Sequence, residues 1–250
     1  MKSFEAIMIG IIIILFLVLS KMLLSISITK KDFFQVDNKP EIDKNIIENN
    51  NKNFPALYIN LEHREDRKNQ IETELKKVGF YNYQRFNAIK NNKGYIGCSE
   101  SHLECLKLAR QKQYPNVMIL EDDFEFLIDK DEFQNILNHL STIDYDVFIL
   151  SYNTDSSNIT DTEDQYLKRI KETQTASGYI VNKKYYNKLI ENFQEGLRLL
   201  RETDIYHKYA IDQYWKPLQS QDKWYCYKKR IGKQRESYSD IEKGIVNYQV

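Results

Sequence analysis

Cysteine is scarce, and its placement excludes two common architectures. Cys98, Cys105 and Cys226 are too few for a disulfide scaffold, and no C-x-x-C pair offers a zinc site. Cys98 and Cys105 lie two helical turns apart and are expected as small core residues. Alanine and glycine are also sparse; no glycine-rich phosphate loop of the Walker or dinucleotide type occurs, and no internal repeat is visible. Net charge is missing as well. Lys+Arg and Asp+Glu both total 36, so no global field draws the chain toward nucleic acid, and any charge that matters is local. A nucleic-acid partner is not expected.

What is present is enough apolar material for a folded core, 42% of 250 residues. Residues 6–19, AIMIGIIIILFLVL, are uninterrupted hydrocarbon, and the apolar character resumes after Lys21 through Ile28. A membrane crossing takes about 20 residues, which 6–28 supply if Lys21 reaches back to the headgroups. No small-x-small cleavage site follows, so residues 6–28 are read as an uncleaved single-pass anchor, preceded by a short flank at 1–5. Lysines on both sides leave the positive-inside rule undecided; a type II orientation is favoured. Residues 29–53 are polar and lack the apolar density to pack, so they read as a stalk. Residues 54–250 form the expected domain.

Within that domain strand and helix signals alternate. ALYINL (56–61) reads as a strand, REDRKNQIETELKKVG (64–79) as a helix, NYQRFNAI (82–89) as a strand and CSESHLECLKLARQKQ (98–113) as a helix capped by Ser99 or Ser101. NVMIL (116–120), DYDVFILS (144–151) and SGYIV (177–181) are further strands; 152–174 reads as a surface loop, and 182–193 and 204–215 as helices. The alternation predicts an α/β/α sandwich with a mainly parallel central sheet.

The stretch MILEDDFEFL (118–127) ends a buried strand in three carboxylates, Glu121, Asp122 and Asp123. In open α/β sheets ligands sit at the carboxyl ends of strands. If the strand stays extended, Glu121 and Asp123 converge on one face, and hard oxygen ligands at this density suit Mg²⁺ or Mn²⁺. Just past the first strand, Asn60, Arg64 and Arg67 could grip a diphosphate or nucleotide, or else form a charged first helical turn. GCSESH (97–102) brings Ser101 and His102 to an expected helix start, where backbone N–H groups favour an anion; a lone histidine there also serves as a cap or packing residue. A two-metal phosphoesterase would need a second dispersed ligand set, and the chain has only four histidines. A membrane-anchored protein that keeps the fold without turnover is the other alternative.

Taken in order, Y-I-N-L-x-x-R-x-D-R at 58–67, R-F-N-A-I at 85–89, G-x-x-x-S-H at 97–102, L-E-D-D at 120–123, S-G-Y at 177–179 and I-D at 211–212 resemble glycosyltransferase family 25. That family holds bacterial lipopolysaccharide sugar transferases and procollagen galactosyltransferases. The resemblance covers about residues 56–245; Glu62 and His63 stand where the family more often has Asp-Arg. It implies a GT-A-like nucleotide-sugar-binding fold, a UDP-hexose donor, a glycan, lipopolysaccharide or collagen-like acceptor, and inversion at the anomeric carbon. It also implies that Asn60, Arg64, Arg67, Ser101 and His102 bind the donor and that Glu121, Asp122 and Asp123 hold Mn²⁺ or Mg²⁺. By the same resemblance Asp212 is the first candidate for the catalytic base, with Asp122, His102 and Glu100 as rivals.

Overall fold

The computed structural model describes residues 53–239 and 244–246. The expected flank, the anchor at 6–28 and all of the stalk but Asn53 lie outside the described residues. Among the described residues no helix is long and apolar enough to cross a membrane.

The chain opens with two crossover units: β1 (Ala56–Asn60), α1 (Glu65–Lys77), β2 (Tyr83–Asn87), α2 (Gly94–Gln111) and β3 (Asn116–Glu121). β1 lies between β2 and β3 and runs parallel to both. The first crossover therefore steps one way across the sheet and the second steps back. Right-handed connections in opposite directions place their helices on opposite faces. Apolar spacing agrees: Ile71 and Leu75 of α1 pack with Tyr58, Met118 and Leu120, while α2 lies against the other side of the same strands.

After β3 come β4 (Phe124–Phe126), α3 (Lys130–Leu140), β5 (Val147–Ile149), β6 (Ile159–Asp161), β7 (Leu167–Ile170) and β8 (Gly178–Asn182). The long helix α4 (Tyr186–Thr203) precedes the short helices α5 (Tyr206–Tyr209), α6 (Ile211–Tyr214) and α7 (Lys216–Gln221), then β9 (Trp224–Tyr227), β10 (Gly232–Gln234), β11 (Ser237–Ser239) and β12 (Gly244–Val246). The large sheet has the order β2-β1-β3-β8-β5-β9-β7-β6. β8 and β7 run against their neighbours, so the other six strands share one direction. The sheet is thus mixed but mainly parallel. α3 joins α1 on one face through Phe133, Ile136 and Leu137, and α4 packs beside α2 on the other. The layers are α/β/α, as expected.

Three expectations are corrected. The loop expected at 152–174 contains β6 and β7, which extend the sheet at its edge. Buried Leu167 and Ile170 are separated by two polar residues, so β7 lacks the alternation that marks a strand in sequence. The helix expected at 98–113 begins at Gly94, which places Ser99 and Ser101 in its interior rather than at its cap. The helix expected at 204–215 is two short helices, because Ala210 (φ −58°, ψ 153°) leaves helical geometry between α5 and α6, while left-handed Asp204 (φ 62°) ends α4 before them.

β4 pairs with β10, setting Phe124 opposite Gln234 and Phe126 opposite Gly232. The ring of Phe124 is seated on two glycines: a Cβ on Gly178 would meet it at 2.4 Å and one on Gly232 at 2.1 Å. This seat fixes the chain one residue past the acidic triplet. Gly232→Ala is therefore expected to lower the urea unfolding free energy by about 1–3 kcal/mol. Phe124→Leu in the Gly232→Ala background should cost less than the two single substitutions added together. Strict additivity would refute the seat.

Candidate functional site

β1 and β3 end in register at one edge of the sheet, with Ile59 opposite Glu121, and the switch in crossover direction leaves a crevice there. The triplet occupies it, but not as an extended strand. β3 stops at Glu121, and Asp122 and Asp123 form a turn into β4, where the Asp123 carbonyl accepts from the Arg235 amide at 2.8 Å. Pleat alternation therefore does not set the carboxylate directions; their partners do.

Those partners differ for each acid. Asp122 accepts from Asn60 Nδ2 at 2.8 Å and from Arg67 at 2.7 Å, one on each oxygen. Asp123 accepts from Gln234 Nε2 at 3.1 Å, and the same oxygen lies 3.4 Å from Arg67. Its Oδ1 is buried and has no hydrogen-bond partner. Glu121 turns the other way, to His102 Nε2 at 3.1 Å and the Cys98 thiol at 3.4 Å. All three carboxylates, with Arg67, His102 and Gln234, line one cavity of about 360 Å³.

The acids titrate apart. Burial, then the neighbouring charges of Glu121 and Asp122, push Asp123 up to about 7 despite Arg67. Burial also raises Asp122, although Arg67 and Asn60 oppose it. For Glu121 burial works against the charge, but the hydrogen bonds and charge of His102 and the bond from Cys98 more than offset it and hold it below its ordinary value. Burial first, then Glu121, drives the Cys98 thiol well above its usual range.

Of the residues expected to bind a donor, Arg67, Ser101 and His102 line this cavity, whereas Asn60 and Arg64 do not. Asn60 is buried; it donates to Asp122 and to the Arg64 carbonyl and accepts from Arg85. Arg64 forks onto Asp66 at 2.9 and 3.0 Å. Ser101 braces a neighbouring loop: its hydroxyl donates to the Gly97 carbonyl and accepts the Ile89 amide. Because α2 starts four residues earlier than expected, 97–102 offers no helix-start anion site. His102 sits inside the helix, fully buried, with Nδ1 at 2.8 Å from the Tyr179 hydroxyl.

Asp212 lies elsewhere. It lines a second cavity of about 330 Å³ together with Tyr95, Gln174, Thr175 and Tyr206. The Thr175 amide donates to its Oδ2 at 3.1 Å, and burial raises its pKa. Thr175 holds φ at 85°, a strained value for a β-branched residue. The two cavities share three residues, Cys98, Glu121 and Gln234. Of these, Cys98 was expected in the core. Thr175 carries no signal that singles it out, since its place depends on a backbone angle.

The donor set fits a hard divalent cation at one point. Asp123 Oδ1 is a buried acceptor with no donor, beside Glu121 in the cavity wall. Both oxygens of Asp122 are already engaged. Cys98, His102 and Glu121 bring a thiol, an imidazole and a carboxylate within 4.8 Å of one another, a softer set on the opposite side of Glu121.

This arrangement, acids at the strand ends of a mainly parallel sheet with two cavities meeting at one of them, defines a ligand-binding α/β protein. Residues 92–214 match the family model described as "Glycosyltransferase family 25 (LPS biosynthesis protein)". The segment 92–214 belongs to glycosyltransferase family 25. The matched segment includes the triplet and Asp212, while Asn60, Arg64 and Arg67 precede it. Solved structures similar in shape include mannose-1-phosphate geranyltransferase from Thermus thermophilus (10% identity, 73% of this chain and 74% of that one, TM-score 0.44). A glycosyltransferase involved in glycosylation of the major capsid of PBCV-1 is another (10% identity, 70% and 92%, TM-score 0.39). A197 from STIV is a third (12% identity, 69% and 80%, TM-score 0.39). Among curated proteins none matches.

The site's electrostatics bear on stability in two measurable ways. Arg67→Leu leaves Asp122 and Asp123 buried without their shared cation, which is expected to cost about 3–5 kcal/mol in urea unfolding at pH 8. Asp123, raised from 3.8 to about 7, holds a proton in the folded state that the unfolded chain has released. The stability contributed by that proton is complete below about pH 4 and lost as pH rises through about 7. In EDTA, Asp123→Asn should gain roughly 1–3 kcal/mol over wild type on going from pH 5 to pH 8. An unchanged difference between the two pH values would show that Asp123 is not perturbed.

Proposed function

We propose that the chain is an inverting hexosyltransferase with a GT-A-like fold, moving galactose or glucose from a UDP-sugar to a hydroxyl of a glycan, lipopolysaccharide or hydroxylysine acceptor. The observation that carries this reading is the meeting of two cavities at Glu121, with the open oxygen of Asp123 on one side and Asp212 on the other. The first cavity takes the nucleotide-sugar and the second takes the acceptor.

Asp123, with Glu121, would hold Mn²⁺ or Mg²⁺. A divalent ion there supplies positive charge to the departing diphosphate. Asp122, engaged by Asn60 and Arg67, serves to place Arg67 and hold the turn rather than to act as a base. Arg67 lends its charge to the cavity wall, and Lys90, exposed at the same cavity, is placed to swing onto a phosphate. Across the junction Asp212 receives the proton of the attacking hydroxyl. Its burial favours the protonated product of that step, and the Thr175 amide fixes which oxygen is presented. Attack from the second cavity on a sugar held in the first approaches the face opposite the leaving group, which is the geometry of inversion.

Sequence supports a membrane setting. The hydrocarbon run at 6–28 followed by the polar stretch at 29–53 suits a type II single-pass anchor and stalk. Protease protection of the C-terminal domain in sealed vesicles tests the orientation, and digestion from the cytosolic side would overturn it.

The activity itself is tested by UDP release from UDP-hexoses by the purified chain. Release is expected with Mn²⁺, not with EDTA, and not from Asp123→Ala. Asp212→Asn should lower kcat by about 10²–10⁴-fold with little change in donor KM. Equal release by wild type and Asp123→Ala refutes the assignment.

A further inference from the structure

Cys98 and His102 take no part in the reaction proposed above, yet with Glu121 they form a compact set of ligands. The two stand one turn apart on α2, so both project from the same face of the helix, toward the end of β3. There His102 Nε2 lies 3.1 Å and Cys98 Sγ 3.4 Å from the same oxygen, Oε1 of Glu121. All three ligand atoms fall within 4.8 Å of one another.

The spacing is that of a tetrahedral site. Zn–N and Zn–O bonds of about 2.1 Å and a Zn–S bond of about 2.3 Å set ligand atoms roughly 3.4–3.6 Å apart, so the edges at Glu121 need open by only a few tenths of an ångström. The histidine is also held as a metal ligand is held. Its other nitrogen, Nδ1, lies 2.8 Å from the Tyr179 hydroxyl, and the two rings stack at 18° with centroids 5.7 Å apart. Tyr179 is wedged in turn edge-on against Trp215, centroid to centroid 5.4 Å. A hydroxyl can accept from Nδ1–H as well as donate to a bare Nδ1, so the pair tolerates the tautomer that turns a lone pair from Nε2 toward an ion.

The ligand types select the ion. A thiol is a weak hydrogen-bond donor, and as a partner for Glu121 a serine would serve better; what sulfur adds is affinity for softer ions. Thiolate and carboxylate together balance two positive charges, and the thiol proton leaves to water as the sulfur–metal bond forms. Mg²⁺ and Mn²⁺ prefer oxygen and are left to the Asp123 side. Cys98 and Glu121 line both cavities, so an ion reaches the site from either one and keeps its fourth position for water. We propose that Cys98, His102 and Glu121 form a second metal site, selective for Zn²⁺ and similar borderline ions, and that an ion there inhibits transfer by holding the Glu121 carboxylate and narrowing the junction of the two cavities. The inhibition rests on the transfer reaction proposed above; the site itself does not.

Cobalt(II), which substitutes for zinc in such sites, tests it without turnover through thiolate-to-metal charge-transfer absorption. The purified full-length chain is expected to show that absorption with Co²⁺ and to lose it on adding Zn²⁺. Cys98→Ser and Cys98→Ala should both lack it, whereas Asp123→Asn, which weakens the oxygen-rich side, should keep it. Tyr179→Phe should keep the absorption but lower Zn²⁺ affinity by about 10–100-fold. No absorption in wild type, absorption that survives loss of the Cys98 thiol, or a Zn²⁺ affinity unmoved by Tyr179→Phe overturns the site. UDP release from UDP-hexoses with Mn²⁺ should be lost when Zn²⁺ is added to wild type and persist in Cys98→Ser, each rate compared with that of the same protein without Zn²⁺. Equal loss in both overturns the inhibition. Absorption without UDP release under any condition sinks the transferase reading, and the inhibition with it, but leaves the metal site; UDP release without absorption sinks the metal site alone.

Discussion

Three carboxylates within three residues, all mostly removed from water, have one guanidinium among them. Arg67 reaches Asp122 at 2.7 Å and Asp123 at 3.4 Å, and no other arginine or lysine forms an ion pair with the triplet among the described residues. One cation cannot neutralise three anions, so the site resolves the excess unevenly. Asp122 takes the short bond and a second donor from Asn60. Glu121 leans on His102. Asp123 is left with an oxygen that nothing satisfies and a proton affinity near neutrality. The imbalance persists because the surrounding fold over-determines it.

That over-determination comes from the sheet. The reversal of crossover direction opens the crevice, the parallel register of β1 and β3 delivers Asn60 and Glu121 to its floor, and α1 begins close enough for Arg67 to reach across. The far side is closed by a segment more than a hundred residues later. β10 pairs with β4 only because Phe124 finds room on Gly178 and Gly232, and that pairing brings the Gln234 side chain and the Arg235 amide onto Asp123. Two glycines and one ring thus do for the triplet what a disulfide could not do in a chain so poor in cysteine.

Much of this is legible in the sequence. The buried strand ending in Glu121 and the alternation of strands with amphipathic helices specify the layers and the edge at which a site must lie. The acidic triplet stands out as letters alone, whereas Asp212 is picked out only through the family resemblance. What escapes has physical reasons. Arg64 and Arg67 are indistinguishable as letters three residues apart, yet only Arg67 faces the cavity; Arg64 at the helix start forks onto Asp66. Ser101 looks like a cap because helix propensity does not reveal that α2 begins at Gly94. Edge strands such as β7, half solvated and with buried residues three apart, carry no period of two. Thr175 enters through a strained torsion, which leaves no local pattern.

The titration behaviour of the acids argues for a division of labour that position alone does not reveal. Carboxylates with similar surroundings would titrate alike and compete for the same proton or cation. Here Glu121, at the junction, is held in its charged form by His102, while Asp123 on one side and Asp212 on the other are both pushed toward protonation by burial. A permanently charged group between two proton-seeking ones also keeps their proton affinities up, because its charge raises each of them. Glu121 therefore couples the cavities electrostatically as well as sterically. Positive charge arriving at Asp123 therefore offsets part of the field that Glu121 exerts on Asp212.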